Sequence, residues 1–222
     1  MTPLTRQLIA KELHTYRWLL AGGTAAGLAG LLMAATGEVG FNIGFIVWLT
    51  AVIALGVMLA LFGVSSERKD RSLLFMLSLP LSPADYVRAK LLGLLTCFLL
   101  PWGVLSAAAL GLVAALPGIA DGLLPYAVLL CAFLLLNFSV VLCGALHIAS
   151  EAAMGGLIIL TNMSVSLFMM GVGRIPGLGE HMLKPEPVWG APFWWLLAAE
   201  LAATLLALTL PLLFAARRRD IL

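Results

Sequence analysis

Read as a string of apolar and polar positions, the chain is built from six long, continuously apolar runs, near residues 18–36, 42–64, 91–116, 124–146, 153–172 and 193–214. Each holds about the 20 residues that carry a helix across a ~30 Å hydrocarbon core, and none alternates with the period of two that a barrel strand requires. The breaks gather charges and turn formers: Gly37-Glu38, Pro117-Gly118 with Asp121-Gly122, and the Gly/Pro-rich stretch 173–192. Hydrocarbon offers no water to an open amide, so every backbone group must pair within its own helix. The pattern predicts an all-α integral membrane protein with six transmembrane helices.

Two segments outside the runs carry their own helical signals. Residues 4–17 place Leu8, Ile9, Leu13 and Tyr16 toward one side and Gln7, Lys11 and His14 toward the other, with Glu12 interrupting the apolar stripe. This is either an amphipathic helix on the membrane surface or an extension of the first span. The chain therefore divides into an N-terminal cytoplasmic or interfacial helix, 1–17, and a six-span membrane domain, 18–222, with larger loops at 65–90 and 173–192.

Segment 65–90 opens with Glu67-Arg68-Lys69-Asp70-Arg71, in which Glu67 and Arg71 sit one helical turn apart. Leu73, Leu74 and Leu77 continue at helical spacing until Pro80 stops the helix. Ser82-Pro83-Ala84-Asp85 then combines a serine cap, a proline at the first helical position and an acid three residues after the cap. A short, stiff helix is expected to start there and to feed, through Tyr86, Arg88 and Lys90, into the third span.

Composition sharpens the picture. Hydrophobic residues make up 62% of 222 and charged residues 11%, and the mean hydropathy is +1.08, values foreign to a water-soluble domain. With the N-terminus inside, the positive-inside rule places eleven of the 13 basic residues on one side and only Arg174 and Lys184 on the other. Both termini are expected in the cytoplasm, in a cell inner (plasma) membrane, and the net charge of +2 speaks of topology and not of a nucleic-acid partner. The first run exceeds a signal-peptide core and reads as a retained span. Cys97, Cys131 and Cys143 fall within spans and suggest neither a disulfide framework nor a metal site.

No catalytic constellation emerges. None of Lys11, Lys69, Lys90 or Lys184 follows a glycine, so a phosphate-binding loop is missing, and ATP with its magnesium is expected on a different polypeptide. His14, His147 and His181 lie in loops or ends, no Gly-x-Ser-x-Gly turn exists, and no ligand spacing supports a metal. No cofactor is expected on this chain. What remains is a set of polar groups inside the spans: Asn137, Ser139, Thr161, Asn162, Ser164, Ser166 and Glu200. Such groups face a bundle interior, an interface or a water-filled path. Asn137, Asn162, Ser166 and Glu200 are the candidates to line a path, against the plainer reading of helix-packing glue. Glu200, about two turns into the last span, either serves a path or reaches toward the outer interface. Met154, Met163, Met169 and Met170 read as ordinary membrane packing.

The stretch Glu67, Leu73 to Leu77, Leu79-Pro80-Leu81-Ser82 and Ala89-Lys90 resembles the cytoplasmic loop of type 2 ABC transporter permeases, and Lys11-Glu12-Leu13 with Arg17 is similar to the family's N-terminus. Asp70-Arg71-Ser72 departs from the glycine the family often has there. The resemblance implies an exporter permease working as a dimer, likewise a homodimer in the simplest form, with ATP hydrolysis on a separate ATP-binding-cassette subunit. It implies that Leu81, Ser82, Pro83, Ala84, Asp85 and Tyr86, with Glu67, dock on that ATPase as a coupling helix. It further implies that 147–151 is a secondary contact and that 173–192 folds back as an outer cap, with Trp189, Trp194 and Trp195 at the interface. The rival readings are a membrane-embedded lipid-modifying enzyme, which should show convergent acids, histidines or a nucleophile at one depth, and a non-transporting assembly protein.

Overall fold

The structure is a computed structural model, and it describes residues 3–65, 83–116 and 118–217. Among these residues it is entirely helical, with α1 at Pro3–Ala34, α2 at Glu38–Ala60, α3 at Pro83–Ala115, α4 at Leu124–His147, α5 at Glu151–Val172 and α6 at Ala191–Arg217. All six are long and apolar enough to cross a membrane. A π turn, Leu61–Ser65, extends α2, and short 3-10 turns at Asp121–Leu123 and Gly179–His181 stand before α4 and α6. The bundle thus has a terminal end, where α1 begins and α6 finishes, and a far end carrying the connections from α1 to α2, α3 to α4 and α5 to α6.

Of the two readings of 4–17, the structure shows the extension of the first span, since α1 runs unbroken for 32 residues. The third span likewise continues back to Pro83, so the helix expected at the end of segment 65–90 and the span share one axis of hydrogen bonds. Hydropathy marks only the part of a helix that meets lipid; the ladder itself continues wherever the backbone is unobstructed. Glu67, Leu81 and Ser82 lie outside the described residues, and Pro83, Ala84, Asp85 and Tyr86 form the first helical positions of α3.

Lipid tails are as apolar as leucine, so helices associate in the bilayer by close packing and internal hydrogen bonds more than by expulsion of water. The α1–α2 pair shows how. Gly37, with φ 128°, reverses the chain between them. Gly30 then lets α2 approach so near that a Cβ there would stand 2.8 Å from the Gly44 carbonyl oxygen and 2.9 Å from the Trp48 nitrogen. Trp48 is buried behind that contact and donates its Nε1–H to the Leu105 carbonyl across 3.2 Å, which joins α2 to α3.

α4 is the central helix. Its neighbours are α2, α3, α5 and α6, and 56% of its most apolar window is buried within the chain, against 17% for α5 at the edge. Phe138 of α4 stacks on Phe98 of α3 at 3.9 Å between ring centroids, and Phe133 stacks on Phe168 of α5 at 4.1 Å. Trp102 donates to the Cys131 carbonyl at 3.0 Å, one residue beyond Pro101, which sits inside α3 without a backbone N–H to give. The large exposed side chains of α5 and α6, including Leu160, Leu167, Leu205 and Leu206, leave an apolar face suited to lipid.

Substituting Gly30→Leu should force α1 and α2 apart and destabilise the fold by about 1–3 kcal/mol, the usual cost of overpacking. Gly22→Leu is the control, because a Cβ at Gly22 meets nothing within 4 Å. Thermal unfolding in detergent should show a lowered midpoint for the first variant and an unchanged one for the second.

Candidate coupling and transport site

At the terminal end, two charges are buried together. Lys90 Nζ donates to Glu12 Oε1 at 2.7 Å, and the two side chains are only 3% and 6% exposed. Glu12 comes from the part of α1 that precedes its most apolar stretch, and Lys90 from the second turn of α3. Gly93 makes the meeting possible: a Cβ at 93 would stand 3.0 Å from the Glu12 Cγ, so the missing side chain leaves room for the glutamate stem. Desolvating two such ions is costly, and their attraction offsets that cost only when the geometry is close and direct. The bond therefore fixes α3 against α1 near the point where α3 begins.

The sequence pointed to each partner for a different reason. Glu12 stood out as a flaw in an apolar stripe and Lys90 as the end of a motif. The two are 78 residues apart, and no local periodicity links them. The available signal was that each is a charge at the edge of a hydrophobic stretch, with opposite signs.

The turn from α4 to α5 is built for stiffness. His147 Nδ1 lies 2.9 Å from the Cys143 carbonyl and its ring meets Phe214 edge-on at 5.4 Å. Ser150 caps α5 by accepting from the Ala153 amide at 3.4 Å, and Glu151 places an acid in the first turn.

Deeper in the bundle, the polar span residues separate into two groups. Asn137 Nδ2 donates to the Thr161 carbonyl at 2.7 Å, joining α4 to α5, and Ser164 Oγ donates to the same oxygen at 2.6 Å. Ser139 and Thr161 return their hydroxyls to carbonyls of their own helices. These groups are satisfied. Asn162 Oδ1 and both carboxylate oxygens of Glu200 are buried without a hydrogen-bond partner among the described residues. Glu200 is 4% exposed and faces inward beside Thr204, so it does not reach the outer interface that the sequence left open to it. Ser166 is exposed on α5, away from this group.

Two small cavities lie inside the bundle among the described residues. A space of about 10 Å³ beside Asn137, bounded by Gly56, Phe98 and Phe138, is at the limit for a single water. A second of about 50 Å³, lined by Phe45, Trp48, Tyr126 and Leu130 among others, is apolar and confined to the far half.

The far end is covered by the connection between α5 and α6. The Gly122 amide donates to the Lys184 carbonyl at 2.9 Å, and a side chain at 122 would collide with the His181 carbonyl. Leu178 and Phe193 are buried against Leu129 and Val172. Trp189, Trp194 and Trp195 are exposed, Trp195 to 77%, as residues at a membrane interface would be. Among the described residues no cluster of metal-ligating side chains occurs.

A protein-family model described as "ABC-2 family transporter protein" matches residues 31–198. No curated protein and no solved structure matches the chain.

Removing one partner of the buried pair strands the other charge. Lys90→Met and Glu12→Met should each cost about 3–5 kcal/mol, whereas combining the two should recover most of the loss. A double-mutant cycle on unfolding in lipid nanodiscs reads the coupling directly.

Proposed function

The chain belongs to the ABC-2 transporter family, and on that premise we propose that it is the membrane-spanning subunit of an ATP-driven exporter, paired with a second copy and driven by a separate ATP-binding-cassette ATPase. The terminal end then faces the cytoplasm of the plasma membrane, in keeping with the eleven basic residues assigned to it. ATP and magnesium bind on the partner chain, because no lysine here stands in a phosphate-binding loop.

The observation that carries this reading is the clamp at the start of α3. A motor that grips the segment Leu81, Ser82, Pro83, Ala84, Asp85 and Tyr86, together with Glu67, applies its force at the start of a single helix of 33 residues, Pro83–Ala115. At 1.5 Å per residue that helix spans about 50 Å, so a small tilt at its base becomes a movement of several ångströms at its far end. A lever needs a fulcrum. Lys90 on Glu12 supplies one about 10 Å from Pro83, by the same rise per residue. α1 in turn is locked to α2 at Gly30 and Gly44, so α1, α2 and α3 respond as one body.

The cavities beside Asn137 and beside Trp48 are small, in keeping with a path formed between two copies. In this arrangement Asn137, Asn162 and Glu200 lie inside the moving bundle, while Ser166 on the exposed side of α5 is open to a neighbour or to lipid.

Asp85→Arg or Tyr86→Ala should lower the ATPase activity that the permease stimulates in its partner by about 5-fold or more, the lower range of measured coupling energies. Membrane insertion should be unchanged. The test co-expresses the chain with its ATP-binding-cassette partner; equal stimulation by the variants and the parent would overturn the coupling role.

A further inference from the structure

α5 is the least enclosed helix of the bundle, and α4 is the one helix against which it packs extensively. The side turned inward carries Met154, Thr161, Val165 and Val172, all buried. Polar groups there are satisfied: Thr161 and Ser164 donate to carbonyls of α5 itself, and Asn137 reaches across from α4. On the opposite side Ile159, Leu160, Met163, Leu167 and Met170 are each more than half exposed, as a face toward lipid or a neighbour would be.

Asn162 and Ser166 stand on the border between these two sides. At 3.6 residues per turn, Gly155, Ile159, Asn162 and Ser166 recur along one flank of α5. Asn162 is half-buried and Ser166 is exposed. The other asparagines of the chain are both bonded, Asn42 to the Glu38 carbonyl at 3.1 Å and Asn137 to that of Thr161. Asn162 has neither a donor for its buried Oδ1 nor an acceptor for its Nδ2 among the described residues. Ser166, clear of the buried oxygens, likewise donates to no carbonyl there, unlike Ser139, Thr161 and Ser164. The remaining unpartnered atoms belong to other places: Ser106 Oγ lies inside the chain on α3, His181 Nδ1 in the outer connection, and the Glu200 carboxylate on α6.

Depth decides what completes these two residues. At 1.5 Å per residue, Asn162 stands about 16 Å from Glu151 and about 15 Å from Val172, the two ends of α5. That is the middle of a ~30 Å hydrocarbon core, beyond the reach of headgroups and bulk water. Acyl chains offer no hydrogen bond, so the partner is protein. A second copy meets the requirement without any further component. In one membrane the two copies share an orientation, and a twofold axis along the bilayer normal brings the same residues to the same depth. Each copy then contributes an amide, which both donates and accepts, and a hydroxyl, which does the same. The set is complementary to itself. Two turns nearer the terminal end, a Cβ at Gly155 would meet nothing within 4 Å, so the flank is open to close approach.

On the reading that two copies pair, we propose that the flank of α5 bearing Asn162 and Ser166 is the surface on which the second copy docks, the Asn162 amide of each bonding to the amide or hydroxyl of the other. A contact of this kind uses one surface twice and closes at two copies. A single asparagine in an otherwise apolar helix interface fixes register and partner number more than it adds affinity. The pair therefore sets the depth at which the two α5 helices meet, and Ile159 packs against its counterpart beside it.

The test uses the full chain in lipid vesicles, without ATPase or nucleotide, so its outcome is independent of coupling. Energy transfer between donor- and acceptor-labelled copies, followed as the vesicles are diluted with lipid, reads the association. Asn162→Leu should raise the dissociation constant about tenfold, equivalent to about 1.4 kcal/mol, while Asn162→Gln, which keeps an amide, should retain most of the pairing. The unfolding midpoint of Asn162→Leu should match the parent, because the amide makes no bond within its own chain, and this separates lost pairing from lost folding. For position, Ser166→Cys should form an intermolecular disulfide on mild oxidation, whereas the parent and Leu205→Cys, on the exposed face of α6, should not. Undiminished pairing in Asn162→Leu, or cross-linking at Leu205→Cys and not at Ser166→Cys, would overturn this surface while the pairing of two copies stands. A chain that stays monomeric at every dilution would overturn both, the flank then being covered by lipid or by a different protein.

Discussion

A charge inside a bilayer must find its partner within the protein, and the contact between Lys90 and Glu12 is where this chain meets that demand most directly. Two helices that enter the membrane from the same end are joined there at 2.7 Å, with both side chains almost wholly removed from solvent. Because the pair is buried, neither helix can slide or rotate freely against the other without exposing an unmatched ion. The terminal ends of α1 and α3 are thus held in a single relation, and the remaining contacts build outward from it. Gly93 makes room for the pair, the Gly30–Gly44 approach brings in α2, and the Trp48 and Trp102 indoles tie α2, α3 and α4 together through main-chain carbonyls.

This arrangement gives the bundle two mechanical halves. α1, α2 and α3 share close backbone approach and a buried ion pair, whereas α5 and α6 depend chiefly on α4. Local hydrogen bonds tie down both ends of the second half: those of Ser150 and His147 at the turn into α5, and the Gly122–Lys184 bond at the far end. A family whose members move substrates across membranes needs such a division, since a path opens where packing is loose and force passes where it is tight.

Much of the fold was readable from apolar runs alone. The expected spans at 124–146, 153–172 and 193–214 correspond to α4, α5 and α6 within a few residues, because each is bounded by glycine, proline or charge that stops both the apolar run and the helix. Where no such stop exists, the apolar run alone understates the helix: α1 begins well before residue 18, as the extension reading of 4–17 allowed, and α3 before residue 91, as the capped start near Pro83 indicated, since polar residues such as Lys11 and Arg88 change the solvent a helix prefers without interrupting its hydrogen bonds. The site was legible residue by residue but not as an arrangement. Glu200 and Asn162 were conspicuous as polar atoms in lipid, and Glu12 as a break in a stripe. Their roles diverge only through tertiary contacts, which gave Glu12 a lysine and Asn137 a carbonyl, and gave Glu200 neither.

The central claim is that α1 and α3 move as one body when the motor acts. Double electron–electron resonance with spin labels at Lys11, Arg88 and Ala152, on the complex with its ATPase, measures this. Across the nucleotide cycle the distance between the labels at Lys11 and Arg88 should stay constant while that between Arg88 and Ala152 changes. A nucleotide-dependent change between Lys11 and Arg88 would contradict the account.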